Sequence, residues 1–265
     1  MIFKGAMHAH STYSDGEFTL SELREAYLAQ GCSFVCMTDH AEYFDDNSVQ
    51  QYAADLRQHS DSSFCFVMGL EYECERRMHI LGYGATRCAS SKDPQEVIRH
   101  IAAQDAISVI AHPKDEFFPW IEEFETLPRG IETWNSKYDG QYAPRPGTFA
   151  LQQKLRQRVP TLQAFYGQDL HWKKQFRGLC VAVECETLQP AAILAAISTG
   201  QYTGVKDALQ LPSSGELPAD LLAEFDRAHA QSDRVRKFLK GGKATLDRLG
   251  IRVPASLKAQ LRRIF

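Results

Sequence analysis

With 265 residues, 44 % of them hydrophobic and 24 % charged, the chain is long enough to bury a full core and has the make-up of a globular enzyme. No stretch approaches the ~18 apolar residues of a membrane span. The start MIFKGAMHAHS is polar and lacks the apolar centre of a secretory leader, so a cytoplasmic location is expected. The seven cysteines agree with this, because their number is odd, no CxxC pair occurs and most sit in apolar, strand-like runs. They read as reduced buried thiols, not as a disulfide framework or a thiolate metal site. The net charge of −3 conceals an asymmetry: residues 218–265 carry eleven Lys or Arg against five Asp or Glu, so the remaining body is acidic. An acidic body attracts phosphate poorly at long range but collects divalent cations well.

Short apolar runs alternate with amphipathic stretches over the first two hundred residues, which predicts a parallel β/α architecture. Strands are expected near Phe3–His8, Ser33–Thr38, Phe64–Glu71, Ile107–Ala111, Gly130–Trp134, Thr161–Tyr166 and Leu179–Val183. The first predicted helix, Leu20–Gln30, has Thr19 as its cap and Glu22 three residues on to complete a capping box; Gly31 ends it. Further helices are expected over Ser48–His59, Asp93–Gln104, Pro119–Thr126, Thr148–Arg158 and Gln189–Thr199. Seven strands with helices between them favour a closed or distorted seven-stranded (β/α) barrel, and no G-x-G-x-x-G fingerprint supports a dinucleotide fold. A seam is expected after Gly204: Leu209–Pro218 reads as a connector, and Ala219–Leu239 and Pro254–Ile264 as helices. That divides the chain into a catalytic domain over 1–205 and a linker with a basic helical extension over 206–265.

Chemistry-bearing residues gather where the predicted strands end. His8 and His10 close the first strand as H-x-H, with Asp15 in the loop beyond. Asp39 and His40 close the second and Glu71 the third, while His79 follows in M-H-I-L-G. His112 comes after the fourth strand in A-H-P, and Asp169 and His171 follow the sixth as D-L-H. Any one of these is weak evidence, since a lone His beside a strand is more often structural; His59, His100 and His229, on helical stretches, are read that way. Five strand ends bearing His, Asp or Glu are improbable as accident. In β/α barrels that rim builds active sites, and imidazole with carboxylate suits zinc, iron or manganese.

The segments H8-A-H10-S-T-Y-S-D15-G, T38-D39-H40, G69-L-E71, A111-H112-P and D169-L-H171 resemble, in order, the PHP family (polymerase and histidinol phosphatase) over roughly residues 1–205. The resemblance implies a distorted seven-stranded barrel and a site for two or three divalent ions. It implies that His8, His10, Glu71 and Asp169 hold one ion, and that Glu71 bridges to a second held by His79 and His112. Asp15, His40 and His171 would hold a third. A hydroxide shared by two ions would attack phosphorus, with Glu71, Asp169 and His171 at the centre of catalysis and Asp39 orienting a histidine. His171 and a metal-held water are both candidates for the proton donor.

Substrate contacts are read from loop cations and polar residues. Arg177 is preferred because it closely follows the D-x-H motif, with Lys114 and Asn135 next and Lys137, Arg145 and Lys173 also on such loops. Trp134 reads equally well as pocket or core, and Tyr138 as part of a pocket. The basic segments V235–K243 and A255–F265 read as amphipathic helices packed on the barrel, with contact to a partner as the functional alternative. The expected activity is hydrolysis of a small phosphomonoester, such as a nucleotide, a nucleoside bisphosphate or a sugar phosphate. Alternatives are an exonuclease on short oligonucleotides, a histidinol-phosphate phosphatase, an amide or lactone hydrolase, and a metal-stabilised interaction module.

Overall fold

The computed structural model describes residues 1–140, 143–231 and 234. Among these residues, twelve strands are interspersed with helices in a mixed α/β fold. Their order is β1 (Ile2–Ala9), α1 (Leu20–Ala29), β2 (Phe34–Met37), β3 (Asp39–His40), α2 (Asp46–Gln58), β4 (Cys65–Val67), β5 (Gly69–Glu73) and β6 (His79–Tyr83). Then come α3 (Pro94–Ala102), β7 (Ile107–Ala111), α4 (Phe118–Glu122), β8 (Gly130–Asn135), α5 (Pro146–Arg156), β9 (Gln163–Gly167), β10 (Cys180–Glu184), α6 (Pro190–Ser198), β11 (Tyr202–Lys206) and β12 (Leu209–Pro212).

The helices begin where the sequence provides caps. Thr19 accepts from the Glu22 amide, and the Glu22 carboxylate accepts from the Thr19 amide, forming the expected capping box. Asp45 and Ser48 do the same for α2, two residues before its expected start. Asp93 caps α3, whose Pro94 takes the first-turn position that costs no hydrogen bond.

The strands form two six-stranded sheets, ordered β12-β11-β10-β1-β2-β4 and β3-β5-β6-β7-β8-β9. Of the expected distorted seven-stranded (β/α) barrel, the mixed α/β character is present, but the strands number twelve in two sheets and no closed ladder exists among the described residues. Single-residue breaks at Thr38 and Met68 split two expected strands into β2/β3 and β4/β5, and the halves pair in different sheets. Three strands escaped the sequence reading. β6 is a short run opening on His79 and pairs antiparallel with both β5 and β7. β11 and β12 form a hairpin through residue 205, so the stretch from Leu209, read as a connector, opens with a strand. The sheets meet at β1, where the segment after β9 bonds back: Gln168 N–H to Met7 O at 2.9 Å and His10 N–H to Leu170 O at 2.9 Å.

Alternation along the strands divides the apolar residues between two cores. In β2, Phe34 and Cys36 face one core with Leu81, Val109 and Phe165; Val35 and Met37 face the other, under α1 and α2. Trp134 is fully buried, with its indole N–H on Gly140 O at 2.9 Å, which decides for core. All seven cysteines are free thiols. Residues 219–231 are helical; the basic segments 235–243 and 255–265 lie outside the described residues. Among the described residues no helix is long and apolar enough to cross a membrane.

Candidate metal centre

Parallel strands deliver their C-terminal ends to one rim, and the histidines and carboxylates follow them there. His8 lies near the end of β1, His40 ends β3, and His112 and Asp169 sit just past β7 and β9. His79 arrives differently. It is the first residue of β6, and because β6 is antiparallel its N-terminal end lies at the same rim, with His79 opposite Glu73 and Ala111.

Glu71, on β5, is the hub. Its carboxylate lies 2.9 Å from His79 Nδ1, 3.1 Å from His10 Nε2 and 3.2 Å from His112 Nε2. His8 Nε2 and His40 Nδ1 stand at 3.4 and 3.6 Å. Asp169 is second, 3.1 Å from His171 Nδ1 and 3.7 Å from His8, His10 and His112. Asp15 lies on the outer side, 3.3 Å from His171 Nε2 and 3.7 Å from both His10 and His40. The structure therefore brings all nine expected residues together. Their ligand atoms fall into three groups, each within 4.8 Å: His8, Glu71 and His112; His8, His10 and Asp169; His10, Asp15, His40 and His171. His10 thus also belongs with the outer set, and His79 joins through Glu71.

The donor set suits divalent cations. His10 is fully buried, yet neither of its ring nitrogens makes a hydrogen bond, and His79 Nδ1 is likewise unpartnered despite lying close to Glu71. Such nitrogens are costly to bury unless something accepts their lone pairs. Backbone strain points the same way. His8, His112 and Asp169 have φ of 62°, 29° and 53°, a region uncommon for residues other than glycine and one that costs free energy to hold. At His8 this accompanies a register shift between Met7 and Ala9 in the β1–β2 ladder.

The charges are strongly coupled. Burial alone would raise the Glu71 and Asp169 carboxyls, but the surrounding imidazoles hold both well below the usual range. Burial would lower His8, yet the carboxylates of Glu132, Asp169 and Glu71 keep it well above its ordinary 6.5. His10, where burial prevails, falls to about 4. His171 is carried against burial to about 9 by Asp15 and Asp169.

The sequence reading missed Glu132. Fully buried in β8, it accepts from His8 Nδ1 at 2.8 Å, from the His112 backbone N–H at 2.8 Å and from Asn135 Nδ2 at 3.0 Å. It therefore fixes the tautomer and direction of one candidate ligand and the backbone of another. A side chain on Gly167 would collide with it, since a Cβ there would lie 1.7 Å from Glu132 Oε1. The available signal was an acid inside the apolar run G-I-E-T-W-N, because a buried strand carboxylate requires partners.

Other expectations are corrected. Asp39 touches no histidine: it accepts from the Ser11 N–H and Oγ, both at 2.8 Å, from Ser14 Oγ at 2.6 Å and from the Tyr52 hydroxyl at 2.7 Å. It thereby holds the loop that carries Asp15. Asn135 is buried behind the ligands, bonded to Glu132 and to Asp169 Oδ2 at 3.3 Å. Arg177 donates to the Ser136 carbonyl and props the loop. Lys173 pairs with Glu22. The cation at the site is Lys137, with Nζ 3.0 Å from Asp169 Oδ1 and 3.3 Å from His171 Nδ1. His59 and His100 bond backbone carbonyls, as structural residues do. His229 instead lines a cleft beside His79 and His112.

Residues 6–143, about half of the chain, match the PHP domain family. The chain belongs to the PHP family. It is also 45 % identical over 40 residues to the DNA polymerase/3′-5′ exonuclease PolX of Bacillus subtilis (strain 168). That stretch is 15 % of this chain and 7 % of that protein, so the match spans a small fraction of the relative's length. Among solved structures, a two-domain protein from Bacteroides vulgatus ATCC 8482, containing a predicted PHP-like metal-dependent phosphoesterase, superposes with a TM-score of 0.59. The superposition covers 86 % of this PHP chain and 70 % of that one at 16 % identity, which shows a shared fold. An amidohydrolase from Chromobacterium violaceum superposes less well, with a TM-score of 0.48 over 66 % of this chain and 90 % of that one at 16 % identity.

Proposed function

We propose that this PHP protein is a divalent-metal-dependent phosphoesterase acting on a small phosphomonoester of the nucleotide type. The observation that carries this reading is the convergence of five histidines on the single buried carboxylate of Glu71. His8, His10, Glu71, His79, His112 and Asp169 would hold two ions, and Asp15, His40 and His171 would hold a third of the same kind. Zinc, manganese and iron all fit such ligands. When bound, the ions supply water activation and neutralise charge on the phosphoryl oxygens.

The protein's own groups do the rest. Glu132 keeps His8 directed at the cluster through its Nδ1. Asp39, through Ser11 and Ser14, sets the position of Asp15. A histidine that gives one lone pair to an ion is neutral, and the N–H left on its other nitrogen is too weak an acid to protonate a leaving group, so with His171 engaged, Lys137 is the nearby cation able to face the leaving oxygen. Among the described residues, three of the five exposed large hydrophobic side chains border the site: Tyr43, Tyr138 and Trp172, with ring centroids 6.3, 4.6 and 5.8 Å from His40, His112 and His171. Exposed rings at the mouth favour a substrate with a planar base over a plain sugar phosphate. The same rim, with the short likeness to an exonuclease, supports a second reading in which terminal nucleotides are removed from short oligonucleotides.

Metal-loaded protein, with Asp169→Ala as control, is tested for phosphate release from 5′-nucleotides, histidinol phosphate, sugar phosphates and oligonucleotides. Release from nucleotides that disappears in the control is expected. Metal-loaded protein that releases phosphate from none of them rules out the reading.

A further inference from the structure

Two cysteines meet inside the core beneath α1. Cys32 Sγ and Cys180 Sγ lie 3.6 Å apart although the residues are 148 positions distant in sequence, and the two residues are 1 % and 2 % exposed. Among the described residues no other two thiols share a hydrogen bond. Cys65, Cys74, Cys88 and Cys185 turn theirs to backbone carbonyls, and Cys36 sits in the other core.

Local signals build this contact. Gly31, with φ of 70°, ends α1. Its N–H reaches Leu28 O and the Cys32 N–H reaches Tyr27 O, both at 2.9 Å, a double closure that turns the chain inward at Cys32. Tyr27 also braces the opposite side. Its hydroxyl donates to Gln168 Oε1 at 3.2 Å, and Gln168 Nε2 donates to the carbonyl of Leu179, the neighbour of Cys180. Cys180 is the first residue of β10. Each sulfur therefore stands at the end of an element, where the chain shifts more easily than in mid-strand. A disulfide bond is about 2 Å long, so the sulfurs must close by about 1.5 Å.

The two thiols are also unlike. The hydrogen bond from Cys32 brings the Cys180 thiol below its ordinary 9.0 against burial, helped by the ammonium groups of Lys4 and Lys206. The same bond, with burial, pushes the Cys32 thiol up. Cys180 is thus the readier thiolate, with a protonated thiol beside it. Gly31 is exposed, and a Cβ there would meet nothing within 4 Å. Local opening of this turn is a short way in for a molecule as small as a peroxide.

We propose that Cys32 and Cys180 form a redox pair, open as a dithiol and closed to a disulfide by a peroxide. The Cys180 sulfur attacks one peroxide oxygen and the O–O bond breaks. The departing hydroxide takes up the Cys180 proton as water, leaving a sulfenic acid on Cys180. The Cys32 sulfur then attacks the Cys180 sulfur, the S–O bond breaks, and the second hydroxide leaves as water with the Cys32 proton. The protein gives up two electrons and two protons, and the peroxide becomes two waters; a dithiol reductant reverses the change. The loop so closed contains six of the nine candidate ligands, from His40 to His171, so oxidation ties together the strands that carry them.

The test uses zinc-loaded protein, because zinc has no redox chemistry of its own. Wild type is treated with hydrogen peroxide from equimolar to large excess, then denatured and labelled with a maleimide. It should lose two of its seven thiols, peptide mapping should find residues 32 and 180 joined, and dithiothreitol should restore all seven. Cys32→Ser should stop at a sulfenic acid on Cys180, trapped by a cyclic diketone, while Cys180→Ser should leave Cys32 reduced. Cys36→Ser, altered in the other core, should close the pair as wild type does. Seven thiols left in wild type, oxidation falling first on other cysteines, or equal oxidation of Cys180→Ser and wild type overturns the inference. Where a serine disturbs folding, the map of the wild type decides alone.

Discussion

The inner and outer halves of the candidate centre are built on different principles. The inner half, around His8, Glu71, Asp169 and His112, stands on strand ends, is almost wholly buried and is braced from behind by Glu132 and Asn135. Two of its histidines and one of its carboxylates sit in left-handed backbone, which costs free energy that their dense surroundings offset. The outer half adds Asp15, whose side chain is 40 % exposed, and His40, at 17 %, from loop and strand edge. Its brace is one step further back, in the bonds of Asp39 to Ser11 and Ser14. A buried, strained, doubly braced half should bind its ions tightly and keep its shape without them. An exposed half on a loop should bind more weakly and exchange.

The largest test of that contrast removes charge from each half in turn. Glu71→Gln deprives five imidazoles of their common carboxylate. Activity should fall on the order of a thousandfold or more, because the ions supply several kcal/mol of transition-state stabilisation. Elemental analysis after dialysis should show the inner ions lost. Asp15→Asn should leave those ions in place, remove only the outer one and cost far less activity. Equal metal loss from both variants would mean that the two halves are one unit.

Glu132→Gln examines the brace. The amide can keep a bond to the His112 N–H but no longer offers His8 Nδ1 a charged acceptor, so the first ligand is less basic and less firmly aimed. Metal affinity should drop roughly 10- to 100-fold, the usual penalty for losing a group that orients a ligand. Competition with a chelator measures this. An unchanged affinity would leave Glu132 a role in folding alone.

How much of this was legible beforehand follows the same division. Most of the nine clustered residues could be read because strand ends and H-x-H spacing are local signals, the rest of the set being implied by the family resemblance, and the capping box at Thr19 and Glu22 is equally local. The pairing of the strands could not be read in this way. A run such as Phe64–Glu71 looks continuous, yet Met68 divides it between two sheets. The antiparallel sense of β6 depends on partners far along the chain. The brace was hidden for the same reason: Glu132 is 124 residues from His8, and the Gly167 that leaves room for it lies in another strand. Asp39 could be assigned to the site but not to its partners, because Tyr52 and Ser14 reach it only in three dimensions.

The smallest effect concerns a single proton and locates the halves relative to each other. His171 belongs to the outer group with Asp15 and yet touches Asp169 of the inner one, and those two acids hold it to about 9 in place of its ordinary 6.5. A raised pKa stabilises the metal-free fold fully below about 6.5, and that contribution disappears as pH rises through about 9. The metal-free protein should therefore lose part of its stability over this window, while the depressed carboxyls of Glu71 and Asp169 add an opposite loss only at acid pH. An ion bound at His171 must displace that proton. Titration calorimetry in two buffers of different ionisation enthalpy should thus record proton release at pH 7 that shrinks towards pH 9.5. If release belongs largely to the weakly held ion, it should fall in Asp15→Asn together with that ion, leaving the share displaced from His8 of the inner half. If release persists there unchanged, the proton resides on the inner histidines, and the line between the halves runs through His171, not outside it.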